Sequence, residues 1–254
     1  MSLSRRASIK RSILARLGRS WRLAVLAGWL ALAGGQAATA EETAPKTEAE
    51  QSSVKDHPGD EQPSRPVGPP AQIDGFRQAR FGMGEEQVRQ AIRKDFPAAA
   101  AKLTNAVHPT EKTTVLSLFV TDLLPHTGNA HISYILGYHS KKLGQVNIVW
   151  TSDGNTPGDE TVVGIANSLR DYFVSENFKP DSMVANNQLG ANTILVFRGS
   201  DEQNRTVLLV LRGVAASAQS EEKKTPKPPP LTLELSYIED PAHPDVFKIG
   251  KGQF

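Results

Sequence analysis

The chain is 254 residues long, with 29 basic and 27 acidic side chains, a formal net charge of +2 and no cysteine. Without cysteine there is no disulfide framework, no thiolate metal site and no lipidated N-terminal cysteine, so any folded part rests on its own apolar core. Seven basic residues and no acid lie in the first 40 positions, which leaves 22 basic against 27 acidic residues, a net of −5, in the remainder; nucleic acid, which selects a basic surface, is not the expected partner.

The first predicted element is an export signal. Arg5, Arg6, Lys10, Arg11, Arg16, Arg19 and Arg22 surround or precede the 13-residue apolar run LAVLAGWLALAGG, and Ala38-Thr39-Ala40 supplies a small-x-small cleavage site before Glu41. A membrane span needs about 20 apolar residues, so residues 1–40 read as a cleavable secretory signal peptide and the expected compartment is the periplasm. SRRASIK, residues 4–10, approximates the twin-arginine export pattern, with Ser8 where an aromatic is usual. Membrane contact is expected only through this segment or peripherally.

Residues 41–72 are rich in Glu, Pro, Ser and Lys, with Val54 and Val67 as their only large aliphatics, and read as a disordered linker. A folded module is expected over 73–240, a first unit at 73–152 and a second at 153–240, with a C-terminal tail at 241–254. A helix is predicted over 85–95, where Val88, Ala91, Ile92 and Phe96 keep an i, i+3, i+4, i+8 stripe and Pro97 ends it. Three strands follow by alternation: Leu116, Leu118 and Val120 inward in the first; Ile132, Tyr134, Leu136 and Tyr138 in the second; Val146, Ile148 and Trp150 in the third.

A second helix is predicted over 159–178, with Val162, Ile165, Ala166, Leu169, Tyr172 and Phe173 on one face and Asp159 and Glu160 at its positive end. The runs SMVANNQL, TILVFR, RTVLLVLRGV and LTLELSYI read as strands, and residues 216–230, ASAQSEEKKTPKPPP, as a long exposed loop joining the last two. Sliding the chain by 61 positions lays YILGYHSKKLGQVNIVW over LVFRGSDEQNRTVLLVL, strand, polar turn, strand in each. The expected fold class is α+β: two helix-plus-antiparallel-strands units of αβββ type, with the helices packed on antiparallel sheet.

The stretch GFRQARFGMGEEQV explains itself as a helix start. Gly84 as N-cap makes Met83 and Val88 a hydrophobic staple and Gln87 the N3 residue of a capping box, with Gly82 permitting the preceding turn. Gly82-Met83-Gly84-Glu85-Glu86-Gln87-Val88 resembles the GMT-x-x-Q-V helix start of SmpA/BamE-type outer-membrane assembly lipoproteins, and helix-then-strand repeats are similar to the beta-lactamase-inhibitor-protein-like architecture. The resemblance implies an envelope or secreted binding module and carries no functional residue; the lipidation cysteine of the lipoproteins is missing here.

Candidate chemistry is sparse. His126, His131 and His139 fall within fourteen residues, but His131 and His139 on one strand would stand about 26 Å apart, too far for one ion, and no metal or other cofactor is expected. No serine sits in a Gly-x-Ser-x-Gly elbow, and no catalytic residue is assigned. FRGSDEQNR, around Arg198 and Arg205, reads as a solvated hairpin tip. Tyr134, Tyr138 and Trp150 lie on the apolar parity of their strands and are expected in the core. Arg77, Arg80, Arg89, Arg93 and Lys94 are the candidate partner-binding residues, since Arg89 and Arg93 stand i, i+4 on the first helix, a like-charge spacing that suits an acidic partner or anionic lipid. The expected function is a non-catalytic, exported protein-interaction module of the envelope; the alternatives are an envelope hydrolase with a spatially assembled site and a periplasmic small-molecule binder using the sheet face.

Overall fold

A computed structural model describes residues 68–152, 157–214, 229–250 and 252. The expected signal peptide, the linker up to residue 67 and all but the last two positions of the 216–230 loop lie outside the described residues. The described chain begins with a small hairpin, β1 (Gly75–Phe76) and β2 (Ala79–Arg80), then α1 (Glu85–Asp95) and the short α2 (Pro97–Ala100). Next come β3 (Thr104–Val107), β4 (Thr114–Thr121), β5 (Asn129–Leu136) and β6 (Leu143–Thr151). A second helix, α3 (Asp159–Ser175), and a 3₁₀ turn (Pro180–Ser182) lead into β7 (Val184–Gly190), β8 (Thr193–Ser200), β9 (Thr206–Arg212) and β10 (Thr232–Ile238).

The class is α+β and mostly sheet: eight antiparallel strands in the order β3-β4-β5-β6-β10-β9-β8-β7. Four strands, not three, follow α1. The extra one, β3, reads Thr-Asn-Ala-Val and is almost wholly exposed, so it left no apolar alternation to find. The strand order also corrects the 61-residue superposition. It laid β5 and β6, third and fourth from their edge, over β8 and β9, second and third from theirs.

Alternation decides the core. Leu116, Leu118, Ile132, Tyr134, Val146, Ile148 and Trp150 are all 2 % exposed or less, and they share one buried cluster with Val88 and Ile92 of α1 and Val162 and Ile165 of α3. Both helices therefore cover the same face of the sheet. Tyr134 and Trp150 sit in this core as expected, while Tyr138, expected with them, lies past the end of β5 in the following turn and is only half-buried. Among the described residues the Tyr134 hydroxyl and Trp150 indole N–H have no hydrogen-bond partner, and burial, then the carboxylate of Asp95, raises the Tyr134 pKa against a smaller opposing effect of Arg77.

The helix start at Gly84 follows its sequence. Gly84 is the N-cap in extended conformation, its N–H donates to Gln87 Oε1 at 3.0 Å, and Gly82 takes φ 79°. Only that half of a capping box exists, because glycine has no side chain to return the bond. The segment is also stitched to the sheet: Gly82 N–H donates to Leu143 O at 2.9 Å and Leu143 N–H to Met83 O at 2.8 Å.

α3 ends at Ser175, short of residue 178, and Tyr172 is 56 % exposed rather than inward. The chain straightens there to receive the N-terminal segment, with Ala71 N–H donating to Asn177 O at 2.9 Å and Asn177 Nδ2 to Gly68 O at 3.0 Å. Phe178 then turns back into the core.

The expected tail is tied down as well. Asp245 accepts the N–H groups of His139 and Ser140 on its two carboxylate oxygens at 2.9 and 2.8 Å. Burial opposes ionisation and is the largest single influence on this carboxyl, but the hydrogen bonds from His139 and Ser140, with the His139 imidazole, outweigh it and hold the pKa below 3.8. A depressed folded-state pKa gives stabilisation that is complete above the unfolded value and lost as pH falls through the folded one. The protection factors of the His139 and Ser140 amides, each referred to the intrinsic exchange rate at that pH, are therefore expected to hold down to about pH 4 and to fall below it, a change that Asp245→Asn abolishes.

Both edges of the sheet are blunted. β3 is four residues long and is held to α1 by Asn105 Nδ2 donating to Glu85 Oε1 at 3.0 Å. β7 carries Asn186 at φ 54°, opposite an irregularity between Leu195 and Phe197 of β8. Kinks and short strands of this kind discourage edge-to-edge pairing with another chain.

Candidate functional site: the open face of the sheet

Residues of the opposite parity form a face on which no helix packs among the described residues, exposed at Phe119 and Arg198 but buried at Ser117, Ser236, Val210 and Leu195. Register lines them up in rows across the strands. One row runs Phe119, His131, Val149, Glu234, Val210, Leu195 from β4 to β8; the next runs Ser117, Ser133, Asn147, Ser236, Leu208, Arg198. With neighbouring strands about 4.8 Å apart, Phe119 and Arg198 stand roughly 24 Å from each other across the face.

Phe119 is 68 % exposed, the most exposed large apolar side chain among the described residues. Its ring lies against the His131 imidazole, centroids 4.6 Å apart. Burial lowers the pKa of His131 from 6.5, so the ring is neutral at neutral pH and the pair presents an uncharged aromatic platform. Towards the centre, Gln145 Nε2 donates to Asn147 Oδ1 at 2.7 Å and Asn147 Nδ2 to Glu234 Oε1 at 3.3 Å, while Arg212 Nη1 holds Glu234 Oε2.

Glu234 is the only acid in the eight strands of this sheet and Arg198 and Arg212 are the only basic residues. Glu234 is neutralised by Arg212; Arg198 is exposed and makes no ion pair among the described residues. The face is thus mixed: an aromatic platform at one side, a hydrogen-bonded polar strip in the middle and a free guanidinium at the other.

The basic residues singled out in the sequence do not converge on this face. Arg77 sits in the β1–β2 turn at φ 53° with its guanidinium over the Phe76 and Phe96 rings, 5.7 and 4.8 Å from their centroids. Arg80 approaches Asp74 at 3.9 Å, Arg89 pairs with Glu85 at 2.7 Å and Arg93 with Glu86 at 3.2 Å. The like-charge spacing on α1 is offset from within by Glu85 and Glu86, and among the described residues Arg77 and Lys94 are exposed without an ion pair.

The histidines stand apart. His126 lies in the β4–β5 loop at φ 61°, His131 on the open face and His139 in the β5–β6 turn; among the described residues no group of three or more His, Asp or Glu is placed to hold a metal. His108 accepts the Glu111 N–H at Nδ1 and His243 meets Asp240 at 3.2 Å; among the described residues no hydroxyl bonds to either ring. No helix among the described residues is long and apolar enough to cross a membrane. No protein-family model, curated protein or solved structure matches the chain.

Proposed function

We propose that this chain is an exported, non-catalytic envelope module that binds a protein partner on the open face of its sheet. The observation that carries the reading is Phe119: a large aromatic, two-thirds exposed, on the side of the sheet opposite the helices of the described residues. Exposed aromatics beside polar, internally paired groups are the usual anatomy of a transient protein interface. Export rests on the basic, apolar and small-residue order of residues 1–40, and the envelope on the same segment and on the helix-start resemblance at Gly82–Val88.

The same reading takes the sheet as two units, each a helix followed by four strands, joined where β6 pairs with β10. Three observations support it. Gly84 and Gly158 cap their helices at nearly the same angles, φ −77° ψ 170° and φ −79° ψ 171°. Each cap is followed by two acids and, at the fourth helical position, a fully buried valine, Val88 or Val162. β4 and β8, each second from its edge, share the same order of buried and exposed positions over their first seven residues.

The test is photo-crosslinking in cells from an unnatural residue at position 119, with position 167 on the outer side of α3 as control. A single reproducible protein adduct is expected from 119 and none from 167. Phe119→Ala is expected to weaken that partner's binding at least tenfold while changing unfolding free energy by less than about 0.5 kcal/mol, as surface substitutions do. Equal adducts from both positions, or an unchanged affinity, would sink the proposal.

A further inference from the structure

We infer that the turn between β5 and β6 is a peptide-recognition site for an Asp-x-Phe segment, occupied in cis by Asp245-Val246-Phe247, and that the same segment of a second copy can take its place. Three consecutive amides of the turn engage one residue. Tyr138 N–H donates to the Asp245 carbonyl at 2.8 Å, and His139 and Ser140 N–H take its carboxylate oxygens at 2.9 and 2.8 Å. Two residues on, Phe247 N–H donates to Glu111 O at 2.8 Å, and its ring meets Tyr138 edge-on with centroids 5.5 Å apart. Lys141 Nζ lies 5.1 Å from the centroid of the same Tyr138 ring.

This set reads a sequence. One carboxylate, one aromatic ring and two backbone groups are recognised at a fixed spacing, with the residue between them unspecified, which is how turns and edges select short motifs. Gly137 supplies the seat: a Cβ there would run into the Asp245 carboxylate and the Ser140 hydroxyl, and its φ lies outside the left-handed region, so alanine fits the backbone but closes the site.

The resident is hydrogen-bonded in place but not enclosed. Phe247 and Ile249 remain 39 % and 57 % exposed, no regular secondary structure follows Ile238 among the described residues, and residues 239–244, with Pro241 and Pro244, form the connection to β10. Such a short tether gives the cis segment an effective concentration in the millimolar range, so exchange with a second copy becomes visible once the cis contact is removed. The site lies at the turns and does not involve the open face.

Two complementary full-length variants test it. Asp245→Ala/Phe247→Ala empties the seat and keeps it open; Gly137→Ala closes the seat and frees the segment. Each alone is expected to sediment as a monomer, and the mixture to form a one-to-one dimer in which the His139 and Ser140 amide resonances of the first variant return towards their wild-type positions. A synthetic octapeptide, HPDVFKIG, is expected to bind the emptied chain at least tenfold more tightly than the wild type, and the peptide with Asp changed to Asn and Phe to Ala to bind neither. A mixture that stays monomeric overturns the second copy as occupant, and an octapeptide that leaves the emptied chain's amides unmoved overturns the site itself. Should either variant fail to fold, the octapeptide titrated into the wild type at millimolar concentration decides: displacement of Phe247 from Tyr138 supports the site, and none overturns it.

Discussion

Asp201→Ala is expected to lower the unfolding free energy by about 3–5 kcal/mol, read as a shift of the urea midpoint at unchanged slope. Asp201 is 1 % exposed, yet every side of its carboxylate is used. It accepts the N–H groups of Ile73, Gln203 and Arg205 at 3.0, 2.9 and 2.9 Å and the Arg205 Nε at 2.8 Å. Arg205 in turn reaches Asp74 at 2.7 Å and Gln203 at 3.0 Å. Removing the acid takes the acceptor from three backbone amides and from Arg205 Nε, while Asp74 and Gln203 still hold the rest of the guanidinium; the unpaired amides, more than the ion pair itself, set the size of the loss. Asp201→Ala/Arg205→Leu is accordingly expected to recover part of it. A single-variant loss under about 1 kcal/mol would mean that water reaches the site.

This acid also marks where reading the sequence failed. FRGSDEQNR was expected to be a solvated hairpin tip, and it is a hairpin tip, but Asp201 is buried because a segment 128 residues away, at Ile73, lies across it. No local pattern encodes that contact. Asp245 is the same case, its partners His139 and Ser140 lying over a hundred residues back, so residues 241–250 looked like an unattached tail. Elements whose apolar residues repeat with the period of their own secondary structure were legible: α1 ends at Asp95 as its stripe dictates, and the inward residues of β4, β5 and β6 are the buried ones. β3 was missed because it buries almost nothing. The open face left one sequence signal, Phe119, an aromatic on the polar parity of a strand whose Leu116, Leu118 and Val120 point inward; its meaning depended on knowing that both helices cover the other side.

Phe197→Ala is expected to cost about 3–5 kcal/mol, the range for deleting a buried aromatic. Phe197 is fully buried in β8 and stacks on Phe173 of α3 at 5.5 Å with an interplanar angle of 19°, while Phe178 tilts against it at 5.5 Å. The three rings fasten α3 and the chain beyond it to the sheet, so the cavity left by alanine opens at a joint where neither neighbour can close it without leaving the other. Phe197→Leu, which keeps most of the volume, is expected to cost about half as much. Phe119 on β4 and Phe197 on β8 are both aromatics in strands second from an edge, yet they face opposite sides. Alanine at 119 is predicted to leave stability alone and weaken partner binding, and alanine at 197 to destabilise the fold. If Phe119→Ala destabilised the chain as much as Phe197→Ala does, the open face would be core, and a surface consumed by packing could not be the one that meets a partner.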